Sequence, residues 1–169
     1  MYNKKFFVTG ATGGVGIVAV MLFAKLGFEV VAITGKETET DLLLSLGAKE
    51  ILNRSEFEGD MKSPLAKPRW AGGVDAVGSN ILSNLITATH QRAAIACCGM
   101  VGGVNINTSI FPFILRGLSL LGIDSAETLI DVKKEIWNNF ATDWRLEKIN
   151  DHIKDVGLEE LSSEINKIL

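Results

Sequence analysis

The segment Thr9-Gly10-Ala11-Thr12-Gly13-Gly14-Val15-Gly16 constrains this chain more than any other. An apolar run, Phe6-Phe7-Val8-Thr9, leads into it and reads as a short buried strand. Beyond it Val15, Val18, Ala19, Leu22 and Leu26 recur at helical spacing, which predicts one apolar helix face closed by Gly27. A buried strand that enters a glycine-rich bend and leaves as a helix is the opening unit of a parallel α/β sheet.

The remaining sequence repeats that alternation. Val30–Ile33 reads as a second strand, Thr40–Leu46 as a short helix closed by Gly47, and Glu50–Leu52 as a third strand. Residues 55–72 hold two of the three prolines and many charges, and read mostly as loop. Gly73–Val77, Ala93–Cys98 and Leu118–Ile123 read as strands four to six, with a helix over Ile81–Thr89 between the first two. Two helices, about 129–140 and 157–168, end the chain. The pattern predicts a Rossmann fold: a doubly wound parallel sheet of about six strands in the order 3-2-1-4-5-6, with residues 1–169 forming one dinucleotide-binding domain.

Glycines in such a bend let a diphosphate approach bare backbone N–H groups at a helix N-terminus, and Gly16 lets the helix pack closely on the sheet. The spacing is AxGGVG rather than strict GxGxxG, because Ala11 stands at the first glycine position. A phosphate loop of the GxxxxGK[ST] kind is excluded, since Ile17 and Val18 follow Gly16. The alternative is a tight turn with no ligand.

The end of the second strand bears on cofactor choice. NAD sites place an acid there to accept from the ribose hydroxyls. Here the sequence is Ala32-Ile33-Thr34-Gly35-Lys36, with no acid. Thr34 and the Gly35 amide can donate to a 2′-phosphate, Lys36 adds positive charge, and Arg54 lies just past the third strand. NADP(H) is favoured over NAD(H). Two competing readings stay open: Lys36 as a solvated lysine, and Glu37 or Glu39 serving NAD.

VTGATGGVG, AITGKE, LSLGAKEIL, WAGGVDAVG, ACCGMVGG and FPFILRGLSLLGIDS together resemble the medium-chain dehydrogenase/reductase superfamily, within it the zinc-independent acrylyl-CoA reductase and quinone-oxidoreductase-like group. The resemblance runs over nearly the whole chain. It implies NADPH-dependent reduction of an activated carbon–carbon double bond in an enoyl thioester or quinone-like enone. It also implies that Thr12, Gly13, Gly14 and Val15 hold the pyrophosphate, that Thr34, Gly35, Lys36 and Arg54 surround the 2′-phosphate, and that Met100, Ile114 and Ser125 lie along the nicotinamide half. Two departures stand out. The family carries a catalytic domain before the glycine loop, whereas here only nine residues precede Gly10, and the family chain continues past the last helix. The chain is therefore expected to be a cofactor domain apart from its catalytic domain, with Met1 a start other than the family's own. The substrate would bind through the missing domain, and no catalytic residue is assigned. The family pairs its sixth strands, so a homodimer through that edge is expected.

Other classes fare less well. A net charge of −3 with no basic stripe argues against nucleic acid. No apolar stretch reaches membrane-span length, and Met1–Lys5 opens no secretory signal, so the cytoplasm is the default location. Two adjacent cysteines and two histidines make a zinc site unexpected. Short-chain dehydrogenases share the loop, but they need a Tyr-x-x-x-Lys pair and the single tyrosine is Tyr2. A stand-alone NAD(P)-binding sensor is the alternative function. Cys97 and Cys98 read as small buried hydrophobes rather than redox thiols, and Asp75 as a loop tie rather than a base. His90 reads as a surface residue closing a helix, and His152 has no evident partner. Trp70, Trp137 and Trp144 read as packing residues, with Trp70 a candidate neighbour of the cleft.

Overall fold

The computed structural model describes residues 5–168; Met1 and Tyr2 lie outside them. Six strands, β1 (Lys5–Thr9), β2 (Glu29–Thr34), β3 (Glu50–Asn53), β4 (Gly72–Asp75), β5 (Ala94–Cys97) and β6 (Ser119–Gly122), form one sheet in the order β3-β2-β1-β4-β5-β6. Every pairing is parallel, and β1 sets the central register with Phe7 opposite Val31 on one side and Gly73 on the other. Among the described residues six α-helices accompany the strands: α1 (Gly14–Lys25), α2 (Thr40–Ser45), α3 (Ser79–Thr87), α4 (Phe111–Arg116), α5 (Ile130–Ala141) and α6 (Leu161–Ile168). The predicted Rossmann sheet and its strand order are those observed.

Side chains of successive strand residues point to opposite faces, and this divides the core in two. Phe7, Val31, Ile33 and Ile95 pack with Leu82, Leu85 and Ile86 of α3 on one face. Val8, Val30 and Ala32 pack with Val20 of α1 and Leu43 of α2 on the other. Trp70 is fully buried in the first cluster, edge-on to Phe7 at 5.8 Å. It precedes β4, so it lies at the N-terminal edge of the strands and not beside the cleft at their carboxyl ends.

Several expectations need correction. α1 buries Gly16, Ala19, Val20 and Met21, while Val15 and Leu26 are exposed. The helix is apolar nearly all round, so periodicity alone does not select its buried face. Gly16 selects it: a Cβ there would lie 2.2 Å from the Gly10 carbonyl oxygen, so the bare side must face the bend. α4 was not anticipated; its Pro112 fits the first helical turn and Gly117 ends it in the left-handed region at φ 59°. Cys97 is half-buried on the α3 face, whereas Cys98 is exposed, because the face of β5 and β6 away from α3 is thinly covered and also leaves Ala94 and Leu121 open. Trp137 is 70% exposed, whereas Trp144 is half-buried against Phe140. His90 lies beyond the end of α3, half-buried, with its amide donating to the Trp70 carbonyl and its Nε2 enclosed without a hydrogen-bond partner among the described residues.

Two polar fastenings hold the edge opposite the cleft. Lys5 bridges Glu29 at 3.3 Å and Glu50 at 2.8 Å, and Arg69 reaches Glu50 at 2.9 Å. The Lys5 ammonium holds the Glu50 carboxyl below its usual 4.5, and Glu50 in turn raises Lys5. The second is Arg116, which is buried. Its guanidinium donates to the carbonyls of Thr87 at 2.7 Å, Thr89 at 2.9 Å and Ala66 at 2.5 Å, tying α4 to the loops around α3. Burial lowers its pKa.

Candidate cofactor-binding site

The bend after β1 is built by its backbone. Gly10 adopts φ 58°, a left-handed conformation that costs glycine little, and this turns the chain so that the Gly13 amide donates to the Gly10 carbonyl at 2.9 Å. Gly13 then caps α1 in an extended conformation and accepts from the Ile17 amide at 2.8 Å. No side chain caps α1 and no acid lies in its first turn. The first-turn amides, which have no acceptor within any helix, therefore face outward with the positive end of the helix dipole. A Cβ on Gly14 would meet nothing within 4 Å. A cleft of about 520 Å³ opens there, lined by Gly10, Thr12, Gly13, Gly14, Val15, Gly16, Lys36, Ala76 and Val101. Bare amides, a helix start, open space and a lysine fit an anionic diphosphate.

The floor of the cleft is fixed by Asp75, which is fully buried at the end of β4. Its Oδ1 accepts from the Thr9 hydroxyl at 2.7 Å and its Oδ2 from the Gly78 amide at 2.8 Å, while the Thr9 oxygen also accepts from the Ala76 amide at 3.0 Å. This carboxylate ties the ends of β1 and β4 together, as a loop tie should, and leaves no oxygen directed at the cleft. Cys97 Sγ lies 3.8 Å from Asp75 Oδ2, and Cys98 Sγ lies 3.5 Å from the Asp75 carbonyl. Burial, and then the negative charge of Asp75, push both thiols above their usual range, which disfavours the reactive thiolate.

Residues 76–79 and 99–103 form the far wall, and of these only Met100 carries a role expected from the sequence. The Gly102 amide donates to the Val77 carbonyl at 2.8 Å, and a Cβ on Gly99 would lie 2.1 Å from the Ala76 oxygen. Gly78 and Ser79 both have positive φ, 78° and 55°. For Ser79 this is a strained conformation at the edge of a cleft, a location where strain is often functional. The signal that could have found this wall was the pairing of glycines in WAGGVDAVG with those in ACCGMVGG, whose contact exists only in three dimensions.

At the end of β2, Thr34 is buried. Its Oγ1 accepts from the Lys36 amide at 3.1 Å and lies 3.5 Å from Thr12 Oγ1, so Thr34 shapes the turn and joins it to the glycine bend. Gly35 is exposed, and a Cβ on it would lie 2.8 Å from Arg54 Nε, which places the Arg54 side chain against this turn. Arg54 Nε is 2.9 Å from Glu58 Oε1. Arg54 and Glu58 line a second cleft of about 350 Å³ with Val77, Ser79, Asn80, Ile81, Val101 and Gly102. Val101 belongs to both clefts, so they adjoin. Glu37 accepts from Asn53 Nδ2 at 2.7 Å and is turned toward the end of β3. Met100, 69% exposed, sits in the 99–103 wall. Ile114 on α4 and Ser125 beyond β6 are also exposed, and neither lines these two clefts.

The family profile described as zinc-binding dehydrogenase matches residues 14–142, most of the chain from the first helical residue of the bend to the end of α5. This chain belongs to that family. It forms part of the medium-chain dehydrogenase/reductase superfamily and corresponds to its cofactor-binding part. YhfP of Bacillus subtilis, whose name assigns it provisionally to the quinone oxidoreductases, is 39% identical over 164 residues, 96% of this chain and 49% of YhfP. The acrylyl-CoA reductase AcuI of Ruegeria pomeroyi is 40% identical over 154 residues, 91% of this chain and 47% of AcuI. Among solved structures, Bacillus subtilis yhfP with NAD bound superposes with a TM-score of 0.92 at 37% identity, covering 97% of this chain and 50% of that one. Escherichia coli K-12 YhdH with bound NADPH gives 0.91 at 36% identity with the same coverage. The chain thus spans about half the length of the curated relatives it matches. Despite the family's name, no group of three or more His, Cys, Asp or Glu able to hold a metal occurs among the described residues.

Proposed function

We propose that this chain holds NADP(H) for an oxidoreductase that reduces an activated carbon–carbon double bond, in an enoyl thioester of the acrylyl-CoA type or a quinone-like enone. The observation that carries the reading is the uncapped, acid-free start of α1, opening into a cleft that Lys36 also lines. When bound, the dinucleotide supplies the hydride. Thr12, Gly13, Gly14 and Val15 would hold its diphosphate, with Lys36 and Arg54 nearest the 2′-phosphate. Thr34 and Gly35 shape that corner. Met100, Ile114 and Ser125 remain assigned to the nicotinamide half, following the family.

The surface beyond the cleft supports a second domain. Met100, Val101, Val104, Ile110, Phe111 and Ile114 are exposed apolar residues in and around the far wall and α4, and apolar surface of that kind is ordinarily covered. A catalytic domain seated there would complete the substrate pocket and exclude water. The β6 edge, with Leu121 and Ile123 about half exposed, would pair with its copy in a homodimer. No helix among the described residues is long and apolar enough to cross a membrane.

Calorimetric titration of the chain with NADPH and NADH tests the cofactor reading. Binding of one equivalent, tighter for NADPH, is the expected outcome. Absence of binding, or tighter NADH binding, would refute it.

A further inference from the structure

Lys36 and Arg54 are the two cations that the turns after β2 and β3 bring to the outer end of the cleft, and they are in different states. The Lys36 ammonium has no acid partner among the described residues. Arg54 does: its Nε is ion-paired with Glu58 Oε1 at 2.9 Å, both side chains being about half exposed. Glu37, in the turn after β2, is held by Asn53, which at the same time accepts from the Ser55 amide at 2.9 Å. Glu58 is therefore the carboxylate in contact with the guanidinium that a 2′-phosphate would meet.

We propose that Glu58 sets cofactor specificity by competing with the 2′-phosphate for Arg54, so that the chain accepts both NADP(H) and NAD(H) and prefers the former less than Lys36 and Arg54 alone would dictate. The proposal rests on the NADP(H) reading above. Geometry favours exchange without backbone movement. The Arg54 side chain already lies against Gly35, and its contact with Glu58 is made through Nε, while a guanidinium carries five N–H donors in all. An incoming phosphate carries about −1.5 to −2 charges. It gains the guanidinium but is placed beside the Glu58 carboxylate, a like-charge cost that an unphosphorylated ribose escapes. The backbone does not decide the matter, since the NAD-bound and NADPH-bound relatives superpose equally well.

The test titrates the 169-residue chain and its Glu58→Gln, Arg54→Gln and double variants with NADPH, NADH and adenosine 2′,5′-bisphosphate. Glu58→Gln should move the NADPH-to-NADH affinity ratio about two- to fivefold toward NADPH, the scale of an exposed ion pair. The bisphosphate should follow NADPH, the gain should shrink in about 0.5 M salt, and it should vanish in the Arg54→Gln background. An unchanged ratio in a chain that still prefers NADPH would overturn the role of Glu58 while leaving the cofactor reading intact. Equal changes for both dinucleotides, or a gain that persists without Arg54, would overturn it too. A parent chain that binds neither dinucleotide would remove both.

Discussion

Gly14 and Gly16 stand two residues apart at the start of α1, and the structure assigns them opposite reasons for lacking a side chain. In a helix interior, Gly→Ala ordinarily stabilises by roughly 0.5–1 kcal/mol. At Gly16 the new Cβ would lie 2.2 Å from the Gly10 oxygen and 2.6 Å from the Ala11 Cα. Both are backbone atoms of the bend, so either the helix or the bend must shift. Overpacking of this kind costs about 1–3 kcal/mol, more than the propensity gain, and Gly16→Ala should destabilise the chain by about 1–2 kcal/mol net. At Gly14 the Cβ meets no protein atom within 4 Å. Gly14→Ala should leave stability unchanged or raise it by up to about 0.5 kcal/mol. Its methyl group would nevertheless occupy the cleft, and NADPH affinity should fall by about tenfold or more, roughly 1.4 kcal/mol. Urea denaturation and NADPH titration of both variants read the two effects separately. A Gly14→Ala chain that binds NADPH as well as the parent, or a Gly16→Ala chain of parental stability, would refute the reasoning.

Lys36→Ala should weaken NADPH by about 1.5–3 kcal/mol, the worth of a charge-assisted bond, and NADH far less; equal losses by calorimetry would remove its 2′-phosphate role. Arg116→Met should destabilise the chain by about 2–3 kcal/mol in chemical denaturation, because the carbonyls of Ala66, Thr87 and Thr89 lose a buried donor; parental stability would contradict this. Glu50→Gln should cost about 0.5–1 kcal/mol near neutral pH. Since the folded-state pKa of Glu50 is lowered, that contribution is present above the usual 4.5 and disappears as pH falls through the lower folded value, so parent and variant should converge in acid. A gap that persists in strong acid would show that the carboxylate charge is not its source. Alkylation of Cys97 and Cys98 should be slow at neutral pH and accelerate only in alkali; rapid neutral labelling would contradict their raised pKa values.

The sheet was legible because buried parallel strands read as unbroken apolar runs, and Val30–Ile33 and Phe6–Val8 have no other stable setting. The bend was legible because its glycines are contiguous in sequence. What escaped had no local signature. α4 is six residues, too short for a helical period to declare itself. The buried face of α1 depends on one backbone contact at Gly16, since apolar residues surround the helix. The far wall of the cleft joins residues 76–79 to 99–103 through carbonyls and glycines, and the Glu58 partnership of Arg54 arises from a turn whose shape no composition encodes. Cys98 misled because a strand that is apolar in sequence need not be covered on both faces.

A crystal of the chain grown with NADPH tests the central claim most directly. The account predicts the diphosphate oxygens within hydrogen-bonding distance of the amides at the start of α1, with the 2′-phosphate between Lys36 and Arg54. A dinucleotide found elsewhere on the protein, with the bend after β1 bare at saturating concentration, would contradict it.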